Sequence, residues 1–294
     1  MINPNYLGFI YGLSAYLIWG IFPLYFHWLR HVEPIQILMH RVIWSFVFVS
    51  LLLIMLHKSK VLCKAVRSAS ILRSMLLSSV LIAANWLIFI WSVGQGRVLE
   101  TSLGYFLTPL LSVVLAHLIL KEKLDKYRLA ACGLAVIGVV WVMVSLGSLP
   151  WISLTLAISF ALYGLVRKRA DIDSLSGLTL ETALLLPFAL LYWLWLSWQG
   201  ESQFLQQGGS TTLLLLFSGI ATAMPLLLFA AGAKKLSLTT IGFMMYINPT
   251  MQFLTAVFIL HEPFSNEKLI GFLWIWAALT VFTWGAVRQR GHHG

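Results

Sequence analysis

Residues 106–109 read Phe-Leu-Thr-Pro and residues 246–249 read Tyr-Ile-Asn-Pro; each string runs on to a matching end, Leu120-Lys121-Glu122 and Leu260-His261-Glu262. A shift of 140 residues superimposes the two stretches, placing Phe106 on Tyr246, Thr108 on Asn248, Pro109 on Pro249, Ser102 on Gly242 and Arg128 on Lys268. A shift near 144 brings Trp19-Gly20 onto Tyr163-Gly164. Self-similarity at one fixed period marks an internally repeated architecture. Here the period is close to half of the 294 residues, so the chain reads as two halves, 1–146 and 147–294.

The composition says what those halves dissolve in. Sixty per cent of the residues are hydrophobic and 10% charged, with a mean hydropathy of +0.87. A soluble domain carries about 25% charged residues because its surface faces water. A cytosolic enzyme, a secreted disulfide scaffold and a disordered tail are therefore excluded. The net charge of +10 does not indicate a nucleic-acid partner, because the basic residues fall in short runs between apolar segments, as in His57, Lys58, Lys60, Lys64 and Arg67. Cys63 and Cys132 make neither a disulfide framework nor a metal pattern,. No metal and no cofactor is expected.

A bilayer core of about 30 Å needs about 20 apolar residues per helix. The apolar runs give ten spans, at 6–29, 34–56, 71–94, 100–120, 127–146, 150–167, 176–198, 211–233, 238–260 and 268–287. The first has no basic leader region and no cleavage site, so it counts as a span. If both termini are cytoplasmic, sixteen Lys and Arg lie inside and only Arg30, Arg97 and Lys268 outside. That asymmetry orients the chain. Five spans per half is an odd number, so the halves enter the membrane from opposite faces. The expectation is an all-α polytopic membrane protein of ten transmembrane helices, built as two inverted five-helix repeats. Such repeats characterise secondary transporters, with the substrate site near the midplane between halves.

Several strings resemble the RarD family, in the EamA branch of the drug/metabolite transporter superfamily. They include residues 16–23 (Tyr-Leu-Ile-Trp-Gly-Ile-Phe-Pro), 40–45 (His-Arg-Val-Ile-Trp-Ser) and 85–91 (Asn-Trp-Leu-Ile-Phe-Ile-Trp). Residues 99–106, 163–168 and 246–250 belong to the same resemblance, which covers essentially the whole chain. It implies a permease of the bacterial inner membrane with a central cavity lined by spans one to four and six to nine, spans five and ten being peripheral. The RarD name is associated with chloramphenicol sensitivity, and related YddG-type exporters move aromatic amino acids. A small amphipathic metabolite or drug-like molecule is implied as the substrate, an amino acid or related compound among the candidates.

Ionisable groups inside spans are costly and by default mark pathways or pairs. Arg41 in span two and Glu181 in span seven fall close to equivalent places in the two halves. At 1.5 Å per residue they lie about 10 Å below the outer boundary and about 8 Å above the inner one. Two readings stay open. Each group can be satisfied locally, holding helices together. Alternatively both face the cavity, Arg41 meeting a carboxylate and Glu181 an ammonium or a transported proton. Asn85 in span three is either interhelical glue or a substrate contact,. Tyr105, Thr108, Tyr246, Asn248 and Gln252 flank Pro109 and Pro249, the two candidate kinks for a gate,. Tyr16, Trp19 and Tyr163 are the candidate cavity aromatics,. His40 and His117 read as packing residues, and Ala131 with Ala135 as a small-residue packing pair.

No Gly-Lys-Thr/Ser phosphate loop is present, so the chain is not itself an ATPase, and no catalytic cluster appears,. The expected partners are a small-molecule substrate and the lipid bilayer, as a monomer or homodimer, with proton coupling left open. A polytopic enzyme of lipid or isoprenoid chemistry is the alternative, but its expected acids, Asp125, Asp171 and Asp173, are interleaved with basic residues. A structural or sensory subunit would not require Arg41 and Glu181.

Overall fold

The computed structural model describes residues 4–121, 125–233, 235–236 and 244–290. Every regular element among them is helical: α1 (Pro4–Gly20), α2 (Phe22–Trp28), α3 (Pro34–Met55), α4 (Ser59–Val66), α5 (Ala69–Gly94) and α6 (Val98–Leu120) in the first half. The remainder are α7 (Lys126–Leu146), α8 (Trp151–Arg169), α9 (Ser174–Gln199), α10 (Gly209–Ala233), α11 (Ile247–Leu254) and α12 (Asn266–Arg290). A π-helical turn, Thr255–Ile259, extends α11.

Eight of the described helices are long and apolar enough to cross a membrane, the first running through α1 and α2 from Tyr6 to Trp28. The other two rods are α8, ending in Arg167-Lys168-Arg169, and the shorter Ile247–Ile259 piece. These helical rods follow the ten spans expected from the apolar runs. Glu122, Lys123, Lys234, Gly242 and the first residues of span nine lie outside the described residues.

Local chemistry sets the breaks. Pro23 stands in the first turn of α2, where its missing N–H costs no helical bond, and the chain turns at Ile21,. Asp125 accepts hydrogen bonds from the amides of Tyr127 and Arg128, and Ser68 from that of Ile71, so these side chains start α7 and α5,. Gly147 and Gly200, at φ 63° and 74°, end α7 and α9 in the left-handed conformation that glycine adopts without a Cβ clash,. The basic run between the second and third apolar segments forms the short α4. Its Ala65 is buried with Met75 and Leu180, while Lys60 and Lys64 are exposed.

The packing repeats itself across the halves. In the repeat, α1–α2 corresponds to α8, α3 to α9, α5 to α10, α6 to α11 and α7 to α12. Helix α6 packs on α8, and its counterpart α11 packs on α1. Likewise α5 packs on α8 as α10 does on α1, and α3 on α10 as α9 does on α5. Helices α3 and α9 also meet each other, as do α7 and α12. Every major contact between halves thus has its exchanged partner, the mark of a two-fold relation.

Close approach is made by small residues, as is usual where helices associate in lipid. A Cβ at Gly104 on α6 would lie 2.8 Å from the Ser153 carbonyl oxygen on α8. Gly219 on α10 likewise lies against the Trp44–Ser45 backbone of α3. Ala131 and Ala135 are buried on α7. The outward faces keep large apolar side chains such as Val136, Leu191, Phe217 and Leu273 exposed, as a lipid-facing surface requires,.

Candidate functional site

Arg41 and Glu181 are 140 residues apart, and each is seven residues beyond the first residue of its helix, Pro34 in α3 and Ser174 in α9. Both are buried, at 4% and 1% exposure. Their environments share a plan and differ in charge.

Arg41 Nε donates to Thr222 Oγ1 of α10 at 2.8 Å. Thr222 in turn donates to the Ser218 carbonyl at 2.8 Å, so one hydroxyl serves both neighbours,. The guanidinium carbon lies 4.0 Å from the Trp86 ring centre and 5.5 Å and 5.6 Å from those of Phe26 and Phe22, inside cation–π range,. Phe22 and Phe26 share one face of α2 by their four-residue spacing. Tyr25 ties that helix to α10 by donating to the Leu214 carbonyl. Among the described residues no carboxylate lies within ion-pair distance of Arg41.

Glu181 is satisfied within the protein. Ser78 of α5 donates to its Oε1 at 2.7 Å and the Tyr163 hydroxyl of α8 to its Oε2 at 3.4 Å. Arg167 Nε is 3.6 Å from Oε1. Tyr163 and Arg167 stand one turn apart on α8 and reach the same carboxylate. Arg167 crosses α9 directly over Gly177, where any Cβ would strike its guanidinium.

A line of rings joins the two groups. Phe26 is 5.9 Å from Phe89, Phe89 5.9 Å from Tyr105, Tyr105 5.9 Å from Phe160, and Phe160 6.0 Å from Tyr163. Asn85 stands beside this line, accepting from Tyr105 OH at 3.1 Å. Its amide nitrogen donates to the Leu156 carbonyl at 3.0 Å and to Ser159 Oγ at 2.9 Å. Asn85 thereby ties α5, α6 and α8 together.

The other expected residues fall elsewhere. Tyr16 and Trp19 pack on Phe229 of α10, at 5.9 Å and 6.0 Å. Asn248 accepts from Gln252 Nε2 at 2.8 Å, and Gln252 accepts from Thr101 of α6 at 2.9 Å. Pro109 is interior to α6, whereas Pro249 is in the first turn of α11, its carbonyl accepting from Ser102 at 2.8 Å. Tyr246 lines a groove of about 560 Å³ with Phe106, Phe253, Trp276 and Trp284, between α11 and α12. His40 stacks on Phe204 at 4.6 Å.

Two carboxylates work at span ends. Glu262 accepts from the backbone amides of Val98 and Leu99, at 2.6 Å and 2.9 Å, and caps α6 from the second half of the chain. Burial pushes its pKa above the usual carboxylate value, the two amides pulling it only partly back. At Asp173 burial also pushes upward, but Ser176 and Lys58, by their hydrogen bonds and the charge of Lys58, hold the pKa below the ordinary value. Lys58 Nζ lies 3.1 Å from Asp173 Oδ1.

Thr222, Ser78, Phe22, Phe26 and Arg167 were not legible in the sequence as site residues. Hydroxyl and phenyl groups are unremarkable in apolar spans, and Arg167 reads as a loop charge; its four-residue spacing from Tyr163 was the available signal. Among the described residues no three His, Cys, Asp or Glu come together. Among the described residues the interior offers one cation without a counter-charge, one satisfied anion and an aromatic wall.

The chain matches the model of the EamA-like transporter family at residues 6–144 and 149–285. It is 45% identical over 287 residues to the Bacillus subtilis (strain 168) protein named Uncharacterized transporter YojE, covering 96% of this chain and 95% of that one. It is 41% identical over 280 residues to Protein RarD of Escherichia coli (strain K12), covering 95% of each. Against Chloramphenicol-sensitive protein RarD of Pseudomonas aeruginosa the identity is 32%, over 96% of this chain and 95% of the relative. A solved crystal structure, 18% identical in sequence, superimposes with a TM-score of 0.60 over 96% of this chain and 98% of its own, which shows a common fold. The all-helical chain with its repeated half is therefore a multi-pass membrane protein that takes a small-molecule substrate, and it belongs to the EamA-like transporter family of the drug/metabolite transporter superfamily, in its RarD group.

Proposed function

We propose that the protein is a secondary transporter of the bacterial inner membrane that moves a small amphipathic metabolite by alternating access of its two halves, 1–146 and 147–294, with both termini cytoplasmic. The observation that carries this reading is the pair of exchanged contacts at Arg41 and Glu181. The Arg41–Thr222 bond joins α3 of one half to α10 of the other. The Ser78–Glu181 bond joins α5 of the first half to α9 of the second. On the inverted reading these bonds lie toward opposite faces of the membrane. Each can open while the other holds, which is what alternating access asks of two gates.

The wall between them, Trp86, Tyr105, Asn85 and Tyr163, is the proposed substrate path. Tyr16, Trp19 and the Asn248–Gln252 pair are the proposed hinge surfaces against α10 and α6, with Pro109 and Pro249 as the bending points. Tyr246 takes part through the α11–α12 groove.

Comparative metabolite profiling tests the reading. The chain is deleted in one culture and overproduced in another, and cells and medium are compared with the parent. At least one small amphipathic metabolite should shift between cells and medium in opposite directions in the two strains. Unchanged profiles in both strains overturn the transport reading.

A further inference from the structure

The fold treats its two buried charges unequally. Glu181 has a cation and two hydroxyl donors. Arg41 has a single hydroxyl acceptor at Nε, leaving the rest of its fork without a hydrogen-bonding partner among the described residues. A buried cation in this condition is costly unless something else completes it. A guanidinium presents parallel N–H bonds that match the two oxygens of a carboxylate or sulfonate. One face of Arg41 lies against Trp86, and Phe22 and Phe26 close the box, so what reaches the free edge must present apolar or flat surface beside its charge.

We infer that the Arg41 subsite binds the anionic head of an organic anion with an apolar or aromatic body, and that this substrate carries no ammonium group. The acids among the described residues leave an ammonium no place. Glu181 is the one acidic residue deep inside a described span, and Arg167, Ser78 and Tyr163 hold it. The other described Asp and Glu sit at helix ends or in loops, as Glu100 does in its pair with Arg97. An amino acid bound at Arg41 would bring an ammonium into a box of aromatic faces already shared with a guanidinium, with no carboxylate among the described residues to receive it. The inference rests on the transport reading and narrows it to one charge class.

The test uses three probes with the same ring and different charges: 3-phenylpropionate, phenylalanine and phenethylamine. Dissociation constants are measured by titration calorimetry on the purified full-length protein in detergent, for the wild type, Arg41→Gln and Arg41→Lys. The wild type should bind 3-phenylpropionate more tightly than phenylalanine by on the order of tenfold or more, as expected for a charge-assisted pair without a counter-acid for the ammonium. Phenethylamine should bind more weakly still. Arg41→Gln should erase the preference and Arg41→Lys, which keeps the charge but loses the fork, should reduce it. If Arg41→Gln does not fold, the wild-type series alone decides. Equal or tighter binding of phenylalanine or phenethylamine overturns the inference and leaves the transport reading standing. So does no binding of 3-phenylpropionate where the metabolite profiles respond. Unresponsive profiles remove the transport reading independently.

Discussion

Arg41 and Glu181 occupy one register in two helices: each is seven residues in from its helix start, 140 residues apart, and each bonds a hydroxyl on a helix of the opposite half. At 1.5 Å per residue, each lies about 10 Å from its own helix start. The same position has taken opposite charges, and among the described residues only the negative one has a partner of opposite charge.

Thr222→Val keeps the volume beside Arg41 and removes its acceptor. Hydrogen bonds to charged groups contribute about 1.5–3 kcal/mol in soluble proteins, and interhelical ones in lipid average less. A loss of about 1–2 kcal/mol is expected, read as a lowered thermal midpoint in detergent. An unchanged midpoint would show that Arg41 draws nothing from Thr222.

Gly177→Ala should act through Arg167. The three atoms nearest the added Cβ all belong to the guanidinium, the far end of a flexible side chain, so Arg167 should swing off Glu181 rather than α9 moving. In wild type the substitution should cost about 1–2 kcal/mol; in an Arg167→Met background it should cost close to nothing. Equal penalties in the two backgrounds would place the effect in the α9 backbone.

Asp173→Asn should weaken the start of α9 and its link to Lys58. Asparagine keeps an oxygen that caps the helix, so what is lost is the negative charge facing Lys58 and the helix start, about 0.3–1 kcal/mol,. The folded carboxyl titrates below its ordinary value, so its contribution is full above that ordinary value, near 3.8, and is lost as pH falls through the folded one,. The wild-type advantage over Asp173→Asn should thus be constant from pH 7 to about 5 and shrink below about 4. Melting curves at a series of pH values check this; an advantage that grows on acidification contradicts the assignment.

Glu262→Ala leaves two amides at the start of α6 without their carboxylate. A cost of about 1–2 kcal/mol is expected. Glu262→Gln, which keeps one carbonyl acceptor, should lose less. Amide hydrogen exchange at Val98 and Leu99 should rise in the Ala variant ahead of the helix interior, and equal protection would sink the capping role.

The fold was legible because lipid imposes a simple rule on the chain: long apolar runs, charges confined to their ends. That rule gave α3, α5, α7 and α10 nearly to the residue. It also picked out Arg41 and Glu181, since charge in hydrocarbon is conspicuous. It failed where polarity is cheap. Thr222 and Ser78 can return a hydroxyl to the turn before and so sit in any span, which hides their service to a charge. Arg167 is long enough to belong to the loop by position and to the interior by reach. The amphipathic α4 was hidden by its own charges. Tyr246, grouped with the candidates because it flanks Pro249, lines a groove beside α12 together with its repeat partner Phe106, since closeness to a proline does not say which face of the helix a side chain takes.

The aromatic box around Arg41 also has an electrical side. Carrying one elementary charge through the whole membrane potential is worth about 2.3 kcal/mol per 100 mV, and a guanidinium that shifts relative to the field with no counter-charge feels some fraction of that. On the proposed transport reading an empty carrier would then reorient with a voltage bias, while one holding the inferred monovalent anion at Arg41 would move as a neutral body. Membrane potential would act on the return step and not on the loaded one, and exchange of one anion for another would run without moving net charge at all.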